Sequence, residues 1–441
     1  MVLQRKLRGL AAIAGLTTLL LSGCGGGGGG GAAGPGYTVT VTVSGLAGSG
    51  LLLQNNGGDT VSIAGNGVAS FTRQAPTGTP YAVTVARQPV APAQGCVVAN
   101  GSGKIGTADV VTVTVSCRNA AQFAYVANFN GNNLTQFAVG SDGGLSLLAT
   151  PFIATGANPT SLALDPLGRY LYVANDARTV SQYRIGADGQ LTALLPDAIV
   201  AGTGPTGIAV DPSGRFVYVS DDGGSVAQFA IGGDGRLVSL GSVAAGVGPA
   251  AVAIDPGGRY VYVANDGGTV SQFAVGLDGR LLALAASAVA GADPTGIRID
   301  PQGRAVYVTN SGVLSNNVSQ YQLAGNGTLA PFASAFVAAG NTPVSLATDP
   351  AGRFAWVANL QGNTVSSYRV GADGALSVSA IAEAFTSVQP VNVLTDPTGR
   401  FLYVAHFGGN SIVQYAIADD ARLAQTATTF QVNGPIAMVM R

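Results

Sequence analysis

Lysine, glutamate and histidine are nearly absent from this sequence of 441 residues. Lysine occurs only as Lys6 and Lys104, Glu383 is the only glutamate, and His406 is the only histidine. Charged residues make up 10% of the chain, against a usual ~25%. The net charge is −1 and no basic stripe occurs, which argues against nucleic-acid binding. Because acid–base and metal chemistry draws mainly on histidine and glutamate, we expect neither a metal site nor a cofactor.

Glycine and apolar residues are abundant instead. The chain has 65 glycines, and 47% of its residues are hydrophobic. This apolar content is enough to bury a large core, so the chain is not disordered by composition. The glycines follow no three-residue period, which excludes collagen.

The first residues have the features of an export signal. Arg5, Lys6 and Arg8 precede an apolar run over 9–21, which is too short to span a membrane as a helix. The following Leu-Ser-Gly-Cys at 21–24 resembles a bacterial lipobox. The resemblance implies that residues 1–23 are a signal peptide and that Cys24 is lipidated, which would attach the protein to the membrane. The alternative is a plain secretory signal followed by an unrelated cysteine.

Residues 24–36 contain seven consecutive glycines and predict a flexible tether. In the lipoprotein pattern, the lack of an aspartate after Cys24 favours the outer membrane. Cys96 and Cys117 then remain as a pair. Since an exported protein meets an oxidising compartment, we expect them to form a disulfide.

Residues 37–118 alternate between apolar and polar side chains, as in Tyr-Thr-Val-Thr-Val-Thr-Val at 37–43. Glycine, asparagine and proline separate about seven such short segments. This pattern predicts an immunoglobulin-like β-sandwich, which we interpret as a spacer or adhesion module.

Residues 120–441 repeat with a period of 44 to 49 residues. Each unit carries a proline before an apolar strand, then Asp-Pro-x-Gly-Arg, Tyr-Val-Ala-Asn, Val-Ser-Gln-Phe/Tyr and Gly-x-Asp-Gly-x-Leu. Each motif fits one strand or turn of a four-stranded unit, which is typical of a propeller blade. The first unit lacks its first strand, and residues 435–441 supply one. The sequence therefore predicts an all-β, seven-bladed β-propeller that its C-terminal strand closes, and the alternative is a parallel solenoid.

Seven aromatic residues share one position of the second strand, where we expect them to pack between blades: Tyr125, Tyr172, Tyr218, Tyr262, Tyr307, Trp356 and Tyr403. Polar residues end the same strand, on the face where the loops between blades lie. They are candidate binding residues, with local turn capping as the alternative: Asn128, Asn175, Asp221, Asn265, Asn310 and Asn359.

Two residues depart from the repeat and are candidate catalytic residues. His406 replaces the asparagine in the seventh unit and could act as a general base. Arg298 stands where other first strands carry alanine or leucine. It could bind a carboxylate or phosphate, or it could pair with Asp300, Asp293 or a carbonyl. We expect the arginines of the Asp-Pro-x-Gly-Arg turns to pair with aspartates of neighbouring blades, and Arg441 to be solvated.

The combined motifs resemble the 6-phosphogluconolactonase-like family of seven-bladed lactonase-type propellers over residues 120–441. The resemblance implies the propeller fold and lactones of sugar acids or muconate as substrates. It also implies a site of histidine, arginine and glutamate residues around the central channel.

The sequence leaves three functions open. Our preferred interpretation is a monomeric, membrane-anchored binding or scaffolding module, whose partner is a protein, a glycan or a small anionic ligand. The alternative is a lactone hydrolase in which Arg298 orients an anion and His406 or an aspartate activates water. The third is a purely structural envelope protein.

Overall fold

A computed structural model describes residues 36–89, 94–119, 122–284, 287–313 and 315–441, without the side chains of 427–429. The predicted signal peptide and Cys24 lie outside the described residues. The described residues form strands, turns and loops, and they include no helix long and apolar enough to cross a membrane. The chain divides into two compact units between Arg118 and Asn119.

The first unit contains two four-stranded sheets with the orders β4-β1-β8-β6 and β3-β2-β5-β7. Strand β1 pairs antiparallel with β4 and parallel with β8. Alternate side chains of both sheets enter one hydrophobic core, as the period-two pattern predicted. The strands are β1 (Val39–Ser44), β2 (Leu51–Asn55), β3 (Asp59–Ile63), β4 (Gly67–Ser70), β5 (Pro80–Arg87), β6 (Gln94–Ala99), β7 (Ser102–Lys104) and β8 (Val110–Asn119).

Cys96 and Cys117 form the predicted disulfide, with their Cα atoms 3.9 Å apart. The bond joins β6 and β8, which are neighbours in one sheet. In antibody domains the corresponding disulfide connects the two sheets. An immunoglobulin-like relationship therefore stays a prediction, although the two sheets share a core.

The second unit is a ring of seven sheets. Its strands are β9 (Phe123–Asn128), β10 (Asn133–Val139), β11 (Leu145–Ala154), β12 (Pro159–Leu164), β13 (Tyr170–Asn175), β14 (Thr179–Ile185), β15 (Leu191–Val200), β16 (Pro205–Val210), β17 (Phe216–Asp221), β18 (Ser225–Ile231), β19 (Leu237–Ala244), β20 (Pro249–Ile254), β21 (Tyr260–Asn265), β22 (Thr269–Val275), β23 (Leu281–Ala283), β24 (Ala288–Val289), β25 (Pro294–Ile299), β26 (Ala305–Asn310), β27 (Asn317–Leu323), β28 (Leu329–Ala338), β29 (Pro343–Thr348), β30 (Phe354–Asn359), β31 (Thr364–Arg369), β32 (Ala382–Phe385), β33 (Pro390–Thr395), β34 (Phe401–His406), β35 (Ser411–Ile417), β36 (Leu423–Gln431) and β37 (Pro435–Met440).

Each blade has four strands, which we call A to D from the axis outwards. Blade two is β12 to β15, and the later blades follow in chain order. Blade four has its D strand in two pieces, β23 and β24, while the D strand of blade six is only four residues long. The A strands of neighbouring blades contact each other around the whole ring and surround an axial channel.

The C-terminal strand closes the ring as predicted. Strand β37 is strand A of blade one and pairs antiparallel with β9, so that Pro435 lies opposite Asn128. The backbone N–H groups of Gln122 and Phe123 donate to the carbonyl of Arg441. Closure therefore gives β9 a hydrogen-bonded partner on its inner edge, as strand A gives to strand B in the other blades.

The Asp-Pro-x-Gly-Arg motif forms the turn from strand A to strand B. In blade three, Oδ1 of Asp211 accepts from the backbone N–H groups of Arg215 and Phe216, at 2.6 and 2.7 Å. Gly214 has φ of +70°, which favours glycine. The turn therefore needs both its aspartate and its glycine, which explains their recurrence.

The strand B aromatic residues tie consecutive blades together. Six tyrosine hydroxyls donate, at 2.5 to 2.8 Å, to the glycine carbonyl in the C–D hairpin of the next blade. In blade six, Trp356 takes this role, and its Nε1 donates to the carbonyl of Ala421 at 3.2 Å. The tyrosine pairs are Tyr125–Gly189, Tyr172–Gly235, Tyr218–Gly279, Tyr262–Gly327, Tyr307–Gly374 and Tyr403–Gly143.

Glutamines on strand C form a second tie. In blades one to five, their Oε1 accepts the backbone N–H of the leucine that follows the C–D hairpin of the next blade, at 2.6 to 2.8 Å. In blade seven, Nε2 of Gln414 donates to the carbonyl of Asp142. Blade six has Ser367 at this position. The five glutamines are Gln136, Gln182, Gln228, Gln272 and Gln320.

Candidate functional site

Arg298 lies on strand A of blade five, opposite Tyr307. The other six A strands place alanine, leucine or valine opposite the same strand B aromatic position. Arg298 is therefore the only charged side chain at this level of the ring. The six equivalent residues are Ala163, Ala209, Ala253, Ala347, Leu394 and Val439.

The side chain of Arg298 faces the axial channel. Strand β25 pairs with β26 on its outer edge and contacts β20 and β29 on either side, yet Arg298 is exposed. The exposed surface can therefore open only towards the channel. The protein around it lowers the pKa of the Arg298 guanidinium, because partial desolvation disfavours the charged form.

Within the described residues, Arg298 forms no hydrogen bond and no ion pair. Of the partners considered from the sequence, Asp300 accepts instead from Nε of Arg304 at 2.7 Å. Of the two alternatives for Arg298, pairing with Asp300, Asp293 or a carbonyl is therefore wrong. A guanidinium that is surrounded by protein without a counter-charge is an unusual feature, and it suits an anion or a developing negative charge.

His406 ends strand B of blade seven and is completely buried. Neither ring nitrogen has a hydrogen bond of normal geometry, although the backbone of Val404 lies beside the ring and opposes part of the pKa shift. Burial lowers the pKa of His406 to about 4, because the imidazolium form would lose its hydration. At neutral pH the imidazole is therefore uncharged and out of reach of a substrate in the channel.

His406 and Arg298 do not converge on one pocket. Leu394 occupies the Arg298 level in blade seven, opposite Tyr403. His406 lies three residues beyond Tyr403, which corresponds to about 10 Å along a strand. It also belongs to a blade two positions away. The structure does not bring the two candidate catalytic residues together.

The strand B asparagines use their amide nitrogens inside the protein. Nδ2 of Asn175, for example, donates to the hydroxyls of Thr179 and Ser181 at 3.1 and 3.0 Å. Asp221 accepts instead from the backbone N–H groups of Thr203 and Gly204. These contacts support turn capping as the role of the whole set. All six residues are buried: Asn128, Asn175, Asp221, Asn265, Asn310 and Asn359.

The residues directly after strand B border the channel mouth on the loop face. In all seven blades, the backbone N–H of this residue donates to a carbonyl of the loop that leads into strand A. Three consecutive blades place an aspartate there, and three other blades place an apolar residue. The positions are Phe129, Asp176, Asp222, Asp266, Ser311, Leu360 and Phe407.

Two glycines show how close these aspartates lie to the innermost strands. A methyl group on Gly204 would lie 3.5 Å from Oδ1 of Asp176 and 3.6 Å from Cβ of Asp222. One on Gly248 would lie 3.5 Å from Oδ1 of Asp222. On blades seven and one, beside this acidic stretch, the rings of Phe129 and Phe407 meet edge to face with centroids 6.4 Å apart. The mouth thus has an acidic and an aromatic side.

The sequence analysis did not identify the residues directly after strand B as part of a candidate site. The signal was available, because the residue after each Tyr-Val-Ala-Asn motif can be aligned in every repeat. Those residues vary while the motif recurs, and variable loop residues on a regular scaffold are where binding specificity usually lies.

The opposite face of the ring carries the Asp-Pro-x-Gly-Arg turns. Four of these arginines pair with the aspartate of their own turn, with nitrogen–oxygen distances of 2.6 to 3.7 Å, so the predicted pairing between neighbouring blades is wrong. The expectation that Arg441 is only solvated is also wrong. It donates to the carbonyl of Gly186 and lies over the ring of Phe123. The four pairs are Asp165–Arg169, Asp255–Arg259, Asp300–Arg304 and Asp349–Arg353.

Among the described residues, no group of three or more histidine, cysteine, aspartate or glutamate side chains could hold a metal ion. The candidate site is therefore the axial channel, with Arg298 inside and the mixed mouth on the loop face.

Comparison with known proteins supports the propeller assignment. The family model described as "Lactonase, 7-bladed beta-propeller" matches residues 99–200 and 176–435. No curated protein matches the chain.

Several solved structures share the fold. A candidate 6-phosphogluconolactonase from Bacteroides uniformis is 18% identical with a TM-score of 0.66, covering 73% of this chain and 100% of its own. The periplasmic gluconolactonase of Pseudomonas aeruginosa is 20% identical with a TM-score of 0.62, covering 72% and 98%. Hydrazine synthase of Kuenenia stuttgartiensis is also 20% identical, at 0.52, covering 69% and 92%. Since these likenesses include different chemistries, they show the fold alone.

Proposed function

Because this chain belongs to the lactonase family of seven-bladed β-propellers, we propose that it hydrolyses a lactone in the axial channel. The observation that carries the proposal is Arg298, an arginine that faces the channel without a partner among the described residues. A binding or scaffolding module remains the second candidate, since the buried His406 supplies no base to the channel.

Arg298 would act on the charge that develops during ring opening. When water adds to the carbonyl carbon of the lactone, the carbonyl oxygen becomes an oxyanion. Guanidinium N–H groups that already point into the site can stabilise this charge, and the incomplete hydration of Arg298 strengthens the interaction. The added water releases one proton to solvent, and the ring oxygen takes up a proton from solvent as the C–O bond breaks. The product is a hydroxy acid, whose carboxylate the same guanidinium can hold.

The channel mouth fits a polyhydroxylated substrate. The carboxylates of Asp176, Asp222 and Asp266 can accept hydrogen bonds from sugar hydroxyls. The rings of Phe129 and Phe407 offer apolar surface for the C–H face of a sugar ring. The mouth therefore supports a sugar-acid lactone as the class of substrate.

We also propose that the protein is anchored in the cell envelope through Cys24. The lipobox-like sequence supports this anchor. Metabolic labelling with a radioactive fatty acid tests it: we expect label in the wild-type protein and none in Cys24→Ser. A labelled C24S protein would contradict the proposal.

Glucono-δ-lactone hydrolysis, followed by acid release at constant pH, tests the main proposal. We expect turnover above the spontaneous rate, and a loss of about 10²–10³-fold in kcat for Arg298→Ala, as for loss of an oxyanion donor. Arg298→Lys should retain part of the rate. Arg184→Ala is the control, because it removes an exposed arginine on strand C of blade two.

Equal rates for the wild type and R298A would overturn the role of Arg298. Saturable binding of the lactone without turnover, lost in R298A but not in R184A, would identify a binding module and overturn the hydrolase.

A further inference from the structure

A polar row joins three blades to the loop that precedes them. In blade two, Nδ2 of Asn175 donates to Oγ of Ser181 at 3.0 Å, and Ser181 accepts from the N–H of Gly156. The hydroxyl of Tyr183 then donates to the carbonyl of Ala154, at the end of strand D of blade one. Nδ2 of Asn175, the hydroxyl of Ser181 and the hydroxyl of Tyr183 therefore help to fix blade two to blade one, although Oδ1 of Asn175 has no partner.

Blade five repeats this row, and blade six repeats it except that the N–H of Gly340 donates to Oδ1 of Asn359 instead of the serine. The asparagine-to-serine distances are 2.8 and 2.9 Å, and both tyrosines donate to the preceding D strand. The rows are Asn310–Ser319–Tyr321 and Asn359–Ser366–Tyr368.

Blade seven has the same positions with different chemistry. His406, Val413 and Tyr415 replace the asparagine, serine and tyrosine, as the pairing of β34 with β35 shows. Valine cannot bridge the two polar groups on either side of it. Both nitrogens of His406 and the hydroxyl of Tyr415 are consequently buried without a partner. The row that fixes blades two, five and six gives no hydrogen bond at the junction between blades six and seven.

The contacts at the C–D hairpin end of the same junction are also weakened. Ser367 replaces the strand C glutamine, and its hydroxyl is buried without a partner. Ala421 has φ of +70° where the six equivalent hairpin residues are glycine. The outer strand of blade six, β32, has only four residues. Three features of this junction thus disfavour the closed arrangement of strands B to D.

The innermost strands are still joined. Thr395 donates to the carbonyl of Thr348 at 2.9 Å, and Oγ of Ser345 accepts from the N–H of Val393 at 3.3 Å. Parting of the junction would therefore begin at the outer strands and leave the A strands as its pivot.

We propose that the ring opens locally at the junction of blades six and seven, and that this opening exposes His406 to solvent. The unpartnered groups drive the equilibrium, because water satisfies them in the open form and nothing satisfies them in the closed form. This local opening is separate from lactone hydrolysis, and the experiment that tests it does not measure activity.

The chain is suited to a direct test, because His406 is its only histidine. Carbethoxylation of the imidazole by diethyl pyrocarbonate, followed by ultraviolet absorbance, therefore reports on one side chain. For the full-length protein we expect a slow reaction whose rate is unchanged at low urea concentrations, as for an opening smaller than global unfolding. A rate that follows global unfolding would overturn the proposal.

Repair variants provide the matched control. Ser367→Gln restores the missing glutamine, and Ala421→Gly relieves the positive φ. Each should slow the modification of His406 by up to about tenfold, the factor for roughly one hydrogen bond. Gln228→Glu, which alters the tie between blades three and four, should leave that rate unchanged. An equal rate in wild type and both repair variants would contradict opening at this junction.

Amide hydrogen exchange gives a second readout that needs no variant. We expect peptides that cover Ala382–Phe385 and Ser411–Ile417 to exchange at least about tenfold faster than Leu329–Ala338 and Asn317–Leu323 of blade five. Equal protection at both junctions would rule out a preferred opening point.

Discussion

The junction between blades five and six differs from the junction between blades six and seven. At the first, Tyr307 donates to Gly374, Gln320 accepts from Leu376, and Tyr368 donates to Ala338. At the second, the only one of these three ties that remains is the bond from Trp356 to Ala421. The blades have the same strands and nearly the same motifs. The number of strands therefore does not determine how strongly neighbouring blades are held together.

The difference teaches that the ties work as donor–acceptor pairs across a junction. A residue in one blade is useful only when the next blade presents the matching group. Ser367 in place of glutamine and Val413 in place of serine therefore leave buried polar groups without hydrogen bonds. Such a loss lowers the stability more than the removal of both partners would. Three predictions test this view, from the largest expected effect to the smallest.

The largest effect is a pH dependence that only the weak junction should show. Folding lowers the pKa of His406 from 6.5 to about 4, so protons bind preferentially to the unfolded chain between these values. The contribution to stability is fully present above pH 6.5 and is lost as the pH falls towards 4. We expect a loss of roughly 3 kcal/mol in the unfolding free energy, measured by urea titration.

His406→Asn is the control for this prediction, because it restores the asparagine found in five of the other blades and should flatten the pH profile. Asn359→His should transplant the dependence to blade six. An unchanged profile in H406N would show that other groups cause the effect.

The second prediction converts the strong junction into a copy of the weak one. Gln320→Ser leaves the backbone N–H of Leu376 buried without an acceptor, so we expect a loss of about 1–3 kcal/mol of unfolding free energy. Gln228→Ser at the junction of blades three and four is the matched variant and should cost a similar amount. If Q320S were as stable as the wild type, the glutamine ties would not hold the blades together.

The smallest effect concerns the hairpin backbone. Ala421→Gly should raise the unfolding free energy by about 1 kcal/mol, because alanine at φ +70° is strained. Gly374→Ala, the reverse change at the equivalent position, should lower it, since a methyl group there would lie 2.9 Å from Cβ of Ala305. Equal urea midpoints for both variants would contradict this reading of the hairpins.

The repeats made the ring predictable from sequence. Proline before strand A and Asp-Pro-x-Gly-Arg after it fix the limits of the strand through local turn chemistry, and the register follows. The unpaired strand at 435–441 likewise predicted closure onto Tyr125-Val-Ala-Asn128. The pair Cys96–Cys117 followed from the even number of remaining cysteines.

The candidate site was harder to predict, because its properties depend on which neighbour each side chain faces. The sequence marked Arg298 and His406 equally as exceptions to the repeat. Only the structure shows that Arg298 is exposed on the innermost strand while His406 is completely buried. The choice of Asp300 between Arg298 and Arg304 is similarly decided by geometry, since both arginines lie within four residues of it.

The closing strand has a consequence for the order in which this protein matures. Strand β37 completes the sheet that β9 begins, roughly 300 residues earlier in the chain. During synthesis, the first blade must therefore wait with an unpaired inner edge until every other blade has been made. If synthesis stops before β37 is made, the released chain keeps the inner edge of β9 unpaired. Quality-control proteases can recognise such an exposed strand edge as a sign of an incomplete chain.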